Sequence, residues 1–208
     1  MAGAGARTTR ADLVRDAYSL MARQYIDAAG SLDHVHPDDV AFVARHLGQL
    51  SGRVLDVGCG PGHLTGFLSS RGVDVTGVDP VPEFIAHARR TYPTADFVVG
   101  SMLDWQRPDG SVDGVLAWYS LIHLEPERVV GACAELRRVL SPGGVLVLGF
   151  FEGDQSEQFD HRVVTAYRWS LGEVADWLSR AGFVEVGRSR RGQEGERRPH
   201  AVVAARAV

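Results

Sequence analysis

The sequence predicts an α/β domain of three layers, in which helices cover both faces of a mostly parallel sheet. Short apolar segments rich in β-branched residues alternate along the chain with amphipathic helical segments, a pattern typical of a parallel sheet. A glycine turn joins the first of these strands directly to a helix. The 208 residues are expected to form one domain, 1–208, which is long enough to bury a substantial core.

Composition limits the kinds of partner that we expect. The formal net charge is −4 and the isoelectric point is near 6, which argues against nucleic acid as a partner. Two cysteines, Cys59 and Cys133, cannot form a disulfide framework and fit a reducing compartment, so we predict a cytoplasmic protein. The chain shows no apolar run long enough for a membrane span and no signal peptide. A monomer or a homodimer is expected.

Residues 11–50 are predicted to form two helices ahead of the sheet. Thr9 and Asp12 have the spacing of a capping box, which predicts a helix from about Ala11 to Asp27 after a disordered tail at residues 1–10. Pro37 opens the second helix. The turn between them carries an aspartate and two histidines at positions 33, 34 and 36, for which a metal site is the alternative to a solvated loop. Since no further ligand has suitable spacing, we predict no metal.

The central stretch runs from Arg53 to Asp79 and reads as strand, glycine turn, helix, strand and acid. Val54–Val57 is apolar except for Asp56, as in a strand buried on both faces. Glycines follow at positions 58, 60 and 62, where a side chain would hold a ligand away from the backbone. A second strand, 73–78, ends in Asp79. This unit predicts a nucleotide-like ligand at the carboxyl end of a parallel sheet.

The glycine turn differs from the dinucleotide fingerprint G-x-G-x-x-G. Its third glycine comes one residue early, at Gly62, and position 63 is histidine. Asp56 places a carboxylate beside the loop, where it would repel a phosphate and attract a cation. The turn therefore argues against a dinucleotide-dependent oxidoreductase, which stays the weaker hypothesis, and favours a cationic ligand.

At these residues the chain resembles the class I S-adenosylmethionine-dependent methyltransferases of the small-molecule type. Their first motif is written here as Val54-Leu55-Asp56-Val57-Gly58-Cys59-Gly60-Pro61-Gly62. The resemblance implies a Rossmann-like fold with a seven-stranded, mostly parallel sheet and an antiparallel last strand. It also implies S-adenosylmethionine as cofactor, S-adenosylhomocysteine as product, residues 53–150 as the cofactor-binding core, and Asp79 as the acceptor for both ribose hydroxyls.

The resemblance extends the predicted cofactor site beyond the glycine turn. The first helix of such proteins often lies over the cofactor, so Tyr18 or Tyr25 would contact it unless both are core aromatics. Segment 100–105 would hold the adenine, although the family often has aspartate where Ser101 stands. The predicted cofactor-binding residues are Tyr18, Tyr25, Asp56, Gly58, Cys59, Gly60, Asp79, Pro80, Ser101, Met102, Leu103 and Trp118.

The fourth strand is predicted at 112–117, and the resembled family often has a histidine in the loop that follows this strand. His123, with an ordinary pKa near 6.5, is the predicted general base, and a histidine packed under the next helix is the alternative. Tyr119 is the second predicted catalytic residue. Segment 151–169 is polar and irregular, as in a loop that closes over a substrate. Its predicted substrate contacts are Glu152, His161, Arg162 and Tyr167.

The remaining chain, 170–208, is predicted to add one helix and a hairpin. Ser170 and Glu173 form a capping box, strands follow at 183–187 and 201–205, and the arginine-rich segment 188–199 connects them in solvent. A turn is expected at 141–144, before the strand at 145–151.

The function that the resemblance implies is methyl transfer to a small molecule or a short peptide. The absence of lysine suggests GC-rich coding and, by association, a role in bacterial secondary metabolism. A same-fold enzyme that binds S-adenosylmethionine but catalyses cyclisation or decarboxylation is the alternative.

Overall fold

A computed structural model describes residues 8–101, 107–193, 195 and 198–208 of the chain. Within these residues seven strands form one sheet, in the order β3-β2-β1-β4-β5-β9-β8, and two short strands form a separate hairpin. The strands are β1 Val54–Val57, β2 Val75–Asp79, β3 Asp96–Val99, β4 Val112–Trp118, β5 Leu140–Phe151, β6 Glu157–Phe159, β7 Ala166–Arg168, β8 Phe183–Arg191 and β9 His200–Ala207.

Helices cover both faces of the sheet. In the described residues they are α1 Arg10–Leu20, α2 Ala22–Ala29, α3 Pro37–Leu47, α4 His63–Ser70, α5 Pro82–Thr91, α6 Pro126–Val139 and α7 Leu171–Arg180, with a 3₁₀ turn at Leu32–His34. None of the helices in this part of the chain is both long and apolar enough to cross a membrane.

The strand directions confirm the predicted fold. Strands β3, β2, β1, β4 and β5 pair in parallel. The last strand in the chain, β9, runs antiparallel to both of its neighbours, β5 and β8. Because five parallel strands lie side by side, their carboxyl ends meet at one edge of the sheet, where this architecture forms ligand sites.

The core lies on both faces of the central strands, as the apolar pattern predicts. All four residues of β1 are buried. Leu55 and Val57 pack towards α6 and α7, whereas Val54 packs towards α3 and α4 on the other face. Alternation along a strand buried on both sides explains why β1 carries apolar residues at consecutive positions.

The N-terminal helices differ from the predicted single helix over 11–27. Thr9 caps α1, and the capping box with Asp12 is present, but the helix begins at Arg10. Thr9 and Arg10 therefore do not belong to the predicted tail, whose residues 1–7 lie outside the described residues. The helix is interrupted at Met21, whose φ is −104° and ψ is 8°, and the next helix, α2, begins at Ala22.

Two segments that we expected to be irregular contain strands. The predicted turn at 141–144 is a bulge within β5, since Val112 pairs with Leu140 while Gly114 pairs with Val145. Segment 151–169 contains the hairpin β6–β7, held to the core by the buried Trp169. Strands of three residues are too short to produce a period-2 pattern that distinguishes them from a loop.

The prediction of a solvent connection over 188–199 was wrong for its first four residues. Strand β8 continues to Arg191 in register with β9. Three arginines of this strand pair with carboxylates: Arg188 with Glu185, Arg190 with Glu152 and Arg191 with Asp39. Pairing with acids, two of which lie outside β8, lets a charged sequence form a strand, which local composition does not indicate.

Candidate active site

A cavity of about 460 Å³ lies at the carboxyl ends of β1, β2 and β4. Parallel strands direct their last residues to this edge, and α1 and α2 lie beside it. The cavity brings together most of the residues predicted from the sequence: Tyr18, Tyr25, Asp56, Gly58, Cys59, Gly60, Asp79, Pro80, Ser101, Trp118, Tyr119, His123, His161 and Arg162.

Four predicted site residues are not in this group. Glu152 is buried elsewhere and pairs with Arg190, 3.1 Å away. The Tyr167 ring packs against the Arg10 guanidinium at 5.6 Å, and its backbone N–H donates to Ile122. The structure thus corrects the prediction that Glu152 and Tyr167 face a substrate: they hold the hairpin segment to the domain. Met102 and Leu103 lie outside the described residues.

The glycine loop is a cradle in which the backbone itself forms the wall. Gly58, Gly60 and Gly62 have φ of +70°, +53° and +87°, values that favour glycine. A Cβ atom at Gly58 would lie 2.4 Å from Ser120 Cβ, so this glycine is needed for packing. At Gly60, by contrast, no described atom outside residues 59–61 lies within 4 Å of that position. Gly60 therefore faces open space, where a ligand can approach the backbone.

Asp79 ties the end of β2 to this loop. Its Oδ2 accepts a hydrogen bond from the Gly60 N–H at 2.8 Å, and its Oδ1 accepts from the Val81 N–H at 2.9 Å. Burial raises the pKa of Asp79 to about 6, although these two hydrogen bonds lower it. A carboxylate accepts up to about four hydrogen bonds, so both oxygens can still accept from a ligand's hydroxyl groups.

Asp56 is a second buried carboxyl, under the glycine loop. Its Oδ2 accepts a hydrogen bond from Thr65 at 2.6 Å, while the buried Oδ1 finds no partner among the described residues. Burial raises the pKa of Asp56 to about 7, and the negative charge of Asp79 adds to this. An unpaired acceptor beside a second acid suits a cationic ligand. The two acids and the open glycine backbone thus fit S-adenosylmethionine.

His123 lies in the cavity wall with both ring nitrogens occupied. Nδ1 lies 2.9 Å from the Thr165 carbonyl oxygen, and Nε2 lies 2.9 Å from the Tyr18 hydroxyl. Since a carbonyl only accepts, Nδ1 carries the proton and Nε2 accepts from Tyr18. Burial lowers the pKa of His123, and the positive charge of Arg10 adds to this. Its role as general base remains a prediction.

The cavity wall away from the glycine loop combines apolar and basic side chains. Apart from Asp56 and Asp79, no described lining residue carries a carboxyl group. Burial lowers the pKa of His161 to about 4, and the positive charges near it, including Arg198 and Arg162, add to this. The arginines of this wall are Arg10, Arg15, Arg128 and Arg162, and its histidines are His34, His123 and His161.

Tyr119 connects this cavity to a smaller one. It follows β4 with φ of +54°, a left-handed conformation that costs a residue other than glycine about 1 kcal/mol or more. Its hydroxyl forms a short hydrogen bond with His200 Nδ1. Sequence reasoning missed His200 and its neighbour Asp39, because they come from β9 and α3 and carry no local motif. It also missed Thr65 and Arg10, which no spacing rule connects to the site.

Known proteins resemble the chain in sequence and in fold. The family model described as "Methyltransferase domain" matches residues 54–144. An uncharacterised methyltransferase of Mycobacterium bovis is 41% identical over 96 residues, which cover 46% of this chain and 38% of that protein. A ubiquinone biosynthesis O-methyltransferase of Xanthomonas oryzae is 34% identical over 142 residues, which cover 64% of this chain and 58% of that protein.

A solved structure shares the whole fold. The crystal structure of 1,6-didemethyltoxoflavin-N1-methyltransferase from Burkholderia thailandensis contains 1,6-didemethyltoxoflavin and S-adenosylhomocysteine. It is similar with a TM-score of 0.79 and 24% identity, over 100% of this chain and 93% of that one. The chain spans less than two thirds of the length of the curated relatives above. The methyltransferase-domain match over residues 54–144 thus includes the glycine loop and Asp79, and the fold of the whole chain is similar to that of a solved methyltransferase.

Proposed function

We propose that this protein transfers a methyl group from S-adenosylmethionine to a small-molecule acceptor. The observation that carries the proposal is the pair of buried carboxyls, Asp56 and Asp79, on either side of a glycine backbone that is open at Gly60. Carboxylates in this position would repel the pyrophosphate of a dinucleotide, and they favour a ligand with a positive charge and free ribose hydroxyls.

Each end of the cavity has its own task in this proposal. Asp79 would accept hydrogen bonds from the ribose hydroxyls, Asp56 would face the cationic part, and the loop backbone would contact the nucleoside. The bound donor supplies an electrophilic methyl carbon on a sulfonium, so the protein needs no covalent nucleophile. The protein's own contribution is to hold the acceptor in line and to accept its proton, where positioning alone supplies about 7–11 kcal/mol.

The wall of the cavity indicates the kind of acceptor. A volume of about 460 Å³ has to hold donor and acceptor together, which favours a small molecule over a peptide end. The apolar and basic lining, with Arg10 and Arg162 on the acceptor side, favours an aromatic acceptor that carries an acidic or anionic group. The Xanthomonas relative is named an O-methyltransferase, which supports hydroxyl acceptors. A role in bacterial secondary metabolism remains a prediction.

Binding of S-adenosylhomocysteine to the purified chain, measured by calorimetry, tests the cofactor. We expect a dissociation constant in the micromolar range or below and no heat with NADH. The opposite pattern would favour the oxidoreductase hypothesis. A panel of phenols and aromatic acids is then incubated with S-adenosylmethionine, and both S-adenosylhomocysteine and the mass of the product are measured. A compound of the panel that is converted to a product while no S-adenosylhomocysteine is released would support the non-methylating alternative.

A further inference from the structure

A smaller cavity of about 210 Å³ adjoins the active-site cavity, and we call it the side cavity. Both share Trp118, Tyr119 and Phe151 in their walls, so the two spaces meet at these rings. The Tyr119 ring packs against Phe151 at 4.6 Å between centroids and against His200 at 5.4 Å. An aromatic wall of this kind suits a flat ring, which would extend from the active-site cavity towards the Tyr119 hydroxyl.

Behind Tyr119 the side cavity contains a chain of buried polar groups. The Tyr119 hydroxyl is bonded to His200 Nδ1, and His200 Nε2 lies 3.3 Å from Asp39 Oδ1. His200 and Asp39 are 3% and 2% exposed. Nε2 forms no hydrogen bond within the described residues, so the Asp39 carboxylate is the charged group that it faces.

Arg191 holds Asp39 in place. Its two terminal nitrogens donate to the two Asp39 oxygens at 2.7 and 2.5 Å. Burial alone would raise the pKa of Asp39, but the contacts with His200 and Arg191 lower it to about 2. Asp39 is therefore a carboxylate at neutral pH. The charge of Arg191 offsets part of this negative charge, and its paired bonds fix the direction in which Oδ1 points.

The environment of His200 differs from that of His123. Each histidine meets a tyrosine hydroxyl through one nitrogen, but the other nitrogen of His123 meets a carbonyl oxygen. The corresponding nitrogen of His200 faces a carboxylate. A carboxylate stabilises an imidazolium much better than a carbonyl does, as in the serine–histidine–aspartate arrangement of hydrolases. Of the two histidines, His200 is thus better placed to hold a proton that passes through tyrosine.

We propose that Tyr119, His200 and Asp39 form a proton relay that deprotonates the acceptor during methyl transfer. The inference rests on the proposed function. The acceptor O–H or N–H gives its proton to the Tyr119 oxygen, while the Tyr119 proton moves to His200 Nδ1. The electron pair left on the acceptor atom forms the bond to the methyl carbon, and the pair of the broken carbon–sulfur bond stays on sulfur. His200, now an imidazolium, faces Asp39 until it releases the proton through the side cavity.

Other charged groups around the side cavity influence this step. Arg198, His34 and His36 line it together with Arg191. The positive charges of Arg191 and Arg198 oppose a positive charge on His200 and so favour release of its proton to water. Tyr119 is the catalytic residue in this proposal, whereas His200 and Asp39 act through it and are positioning residues.

The first test determines which ring nitrogen of His200 carries the proton before the reaction, and it needs no acceptor. The full chain is labelled with ¹⁵N-histidine, saturated with S-adenosylhomocysteine and studied by NMR, with His200→Gln to assign the signal. The relay requires a neutral His200 with its proton on Nε2 and Nδ1 accepting from Tyr119. A proton on Nδ1 overturns the proposal, whether or not any acceptor is turned over.

The second test uses phenols of graded acidity, from 4-methoxyphenol to 4-nitrophenol, as acceptors. We expect Tyr119→Phe and His200→Gln to lower kcat at least tenfold for 4-methoxyphenol and much less for 4-nitrophenol, which is largely ionised at pH 8. His46→Gln, a half-buried histidine on α3 outside both cavities, is the matched control and should change neither rate. Equal losses for both phenols would show a structural role only and overturn the relay.

Two controls separate the relay from the proposed function. All variants should bind S-adenosylhomocysteine within about twofold of the parent. If the parent does not bind S-adenosylhomocysteine, the proposed function is rejected. If the variants keep the kcat of the parent, only the relay is rejected. Asp39→Asn removes the carboxylate from a buried pair with Arg191 and can fail to fold, so the conclusion rests on Tyr119→Phe and His200→Gln.

Discussion

Asp79 accepts a hydrogen bond of 2.8 Å from the backbone N–H of Gly60. The acid that ends the second strand therefore orients the loop that follows the first. The same carboxylate that is proposed to bind the ribose also shapes the surface on which the nucleoside would lie. The ligand site is thus built from two neighbouring strand ends, and a change at either one is expected to affect both.

Replacing Asp79 with asparagine should weaken S-adenosylhomocysteine binding by roughly 10- to 150-fold. The variant loses hydrogen bonds to a charged group, each contributing about 1.5–3 kcal/mol, and disturbs the Gly60 contact. Calorimetry on the folded variant measures the change. Asp74→Asn, at an exposed site before β2, is the control and should bind normally. If Asp79→Asn and Asp74→Asn bind S-adenosylhomocysteine with equal affinity, Asp79 does not contact the cofactor.

Alanine at Gly60 should separate the ligand role of the loop from its packing role. No described atom would meet the added Cβ, so we expect a stability loss of only about 1–2 kcal/mol from the positive φ. Binding of S-adenosylhomocysteine should fall more than tenfold, because the methyl group would occupy the ligand's space. Gly72→Ala has a similar φ of +83° and equally open surroundings outside the cavity. It should lose the same stability and keep full affinity.

Asp56 should make the protein less stable as pH rises from about 4 to 7. Its folded pKa of about 7 exceeds the ordinary 3.8, so in this range the folded protein holds a proton that the unfolded chain has released. At about 1.4 kcal/mol per pKa unit, the advantage of Asp56→Asn over the parent should grow by a few kcal/mol across this range.

Urea unfolding at several pH values measures this difference. His63 and His161, whose pKa values burial lowers to about 4, act in the opposite direction, because charging them destabilises the fold as pH falls. The difference between parent and variant therefore carries the test, since the histidines contribute equally to both. A difference that does not vary with pH would mean that Asp56 ionises normally.

The basic wall should favour an anionic aromatic ligand over its neutral analogue. Benzoate should bind the protein saturated with S-adenosylhomocysteine more tightly than benzamide. Arg162 is exposed, lines the cavity and has no ion pair among the described residues, so Arg162→Gln should weaken benzoate binding by up to about fivefold and leave benzamide unchanged. Arg180→Gln, at the end of α7, is the control. Equal binding of both ligands to the parent would contradict the predicted acceptor class.

Much of the ligand end of the site was predictable, because its residues are close in sequence. Asp56, the three glycines and Asp79 lie within one strand–turn–helix–strand unit, whose geometry follows from short-range rules. Tyr18 and Tyr25 line the cavity, and only the family resemblance indicated that position; their contact with the cofactor remains a prediction. Glu152 was placed wrongly, because a loop position does not reveal that its carboxylate pairs with Arg190.

The acceptor side was much less predictable. The structure places Tyr119 in the cavity wall, and its catalytic role remains a prediction. Its partner His200 is the first residue of β9 and Asp39 lies in the first turn of α3, so locally they look like a strand residue and an acid that opens a helix. Arg191 lay in a segment that we expected to be solvated. A contact between distant elements depends on strand order and register, which local periodicity does not specify.

From the order of its residues alone, this protein specifies the alternation of strands and helices, the buried parallel sheet and a glycine turn flanked by acids. These follow from the spacing of apolar residues and from the backbone freedom of glycine, both of which act over a few positions. Only the folded chain decides which charges are neutralised and which tyrosine meets which histidine. Pairings of that kind require backbone segments far apart in sequence to be brought together by burial of the core.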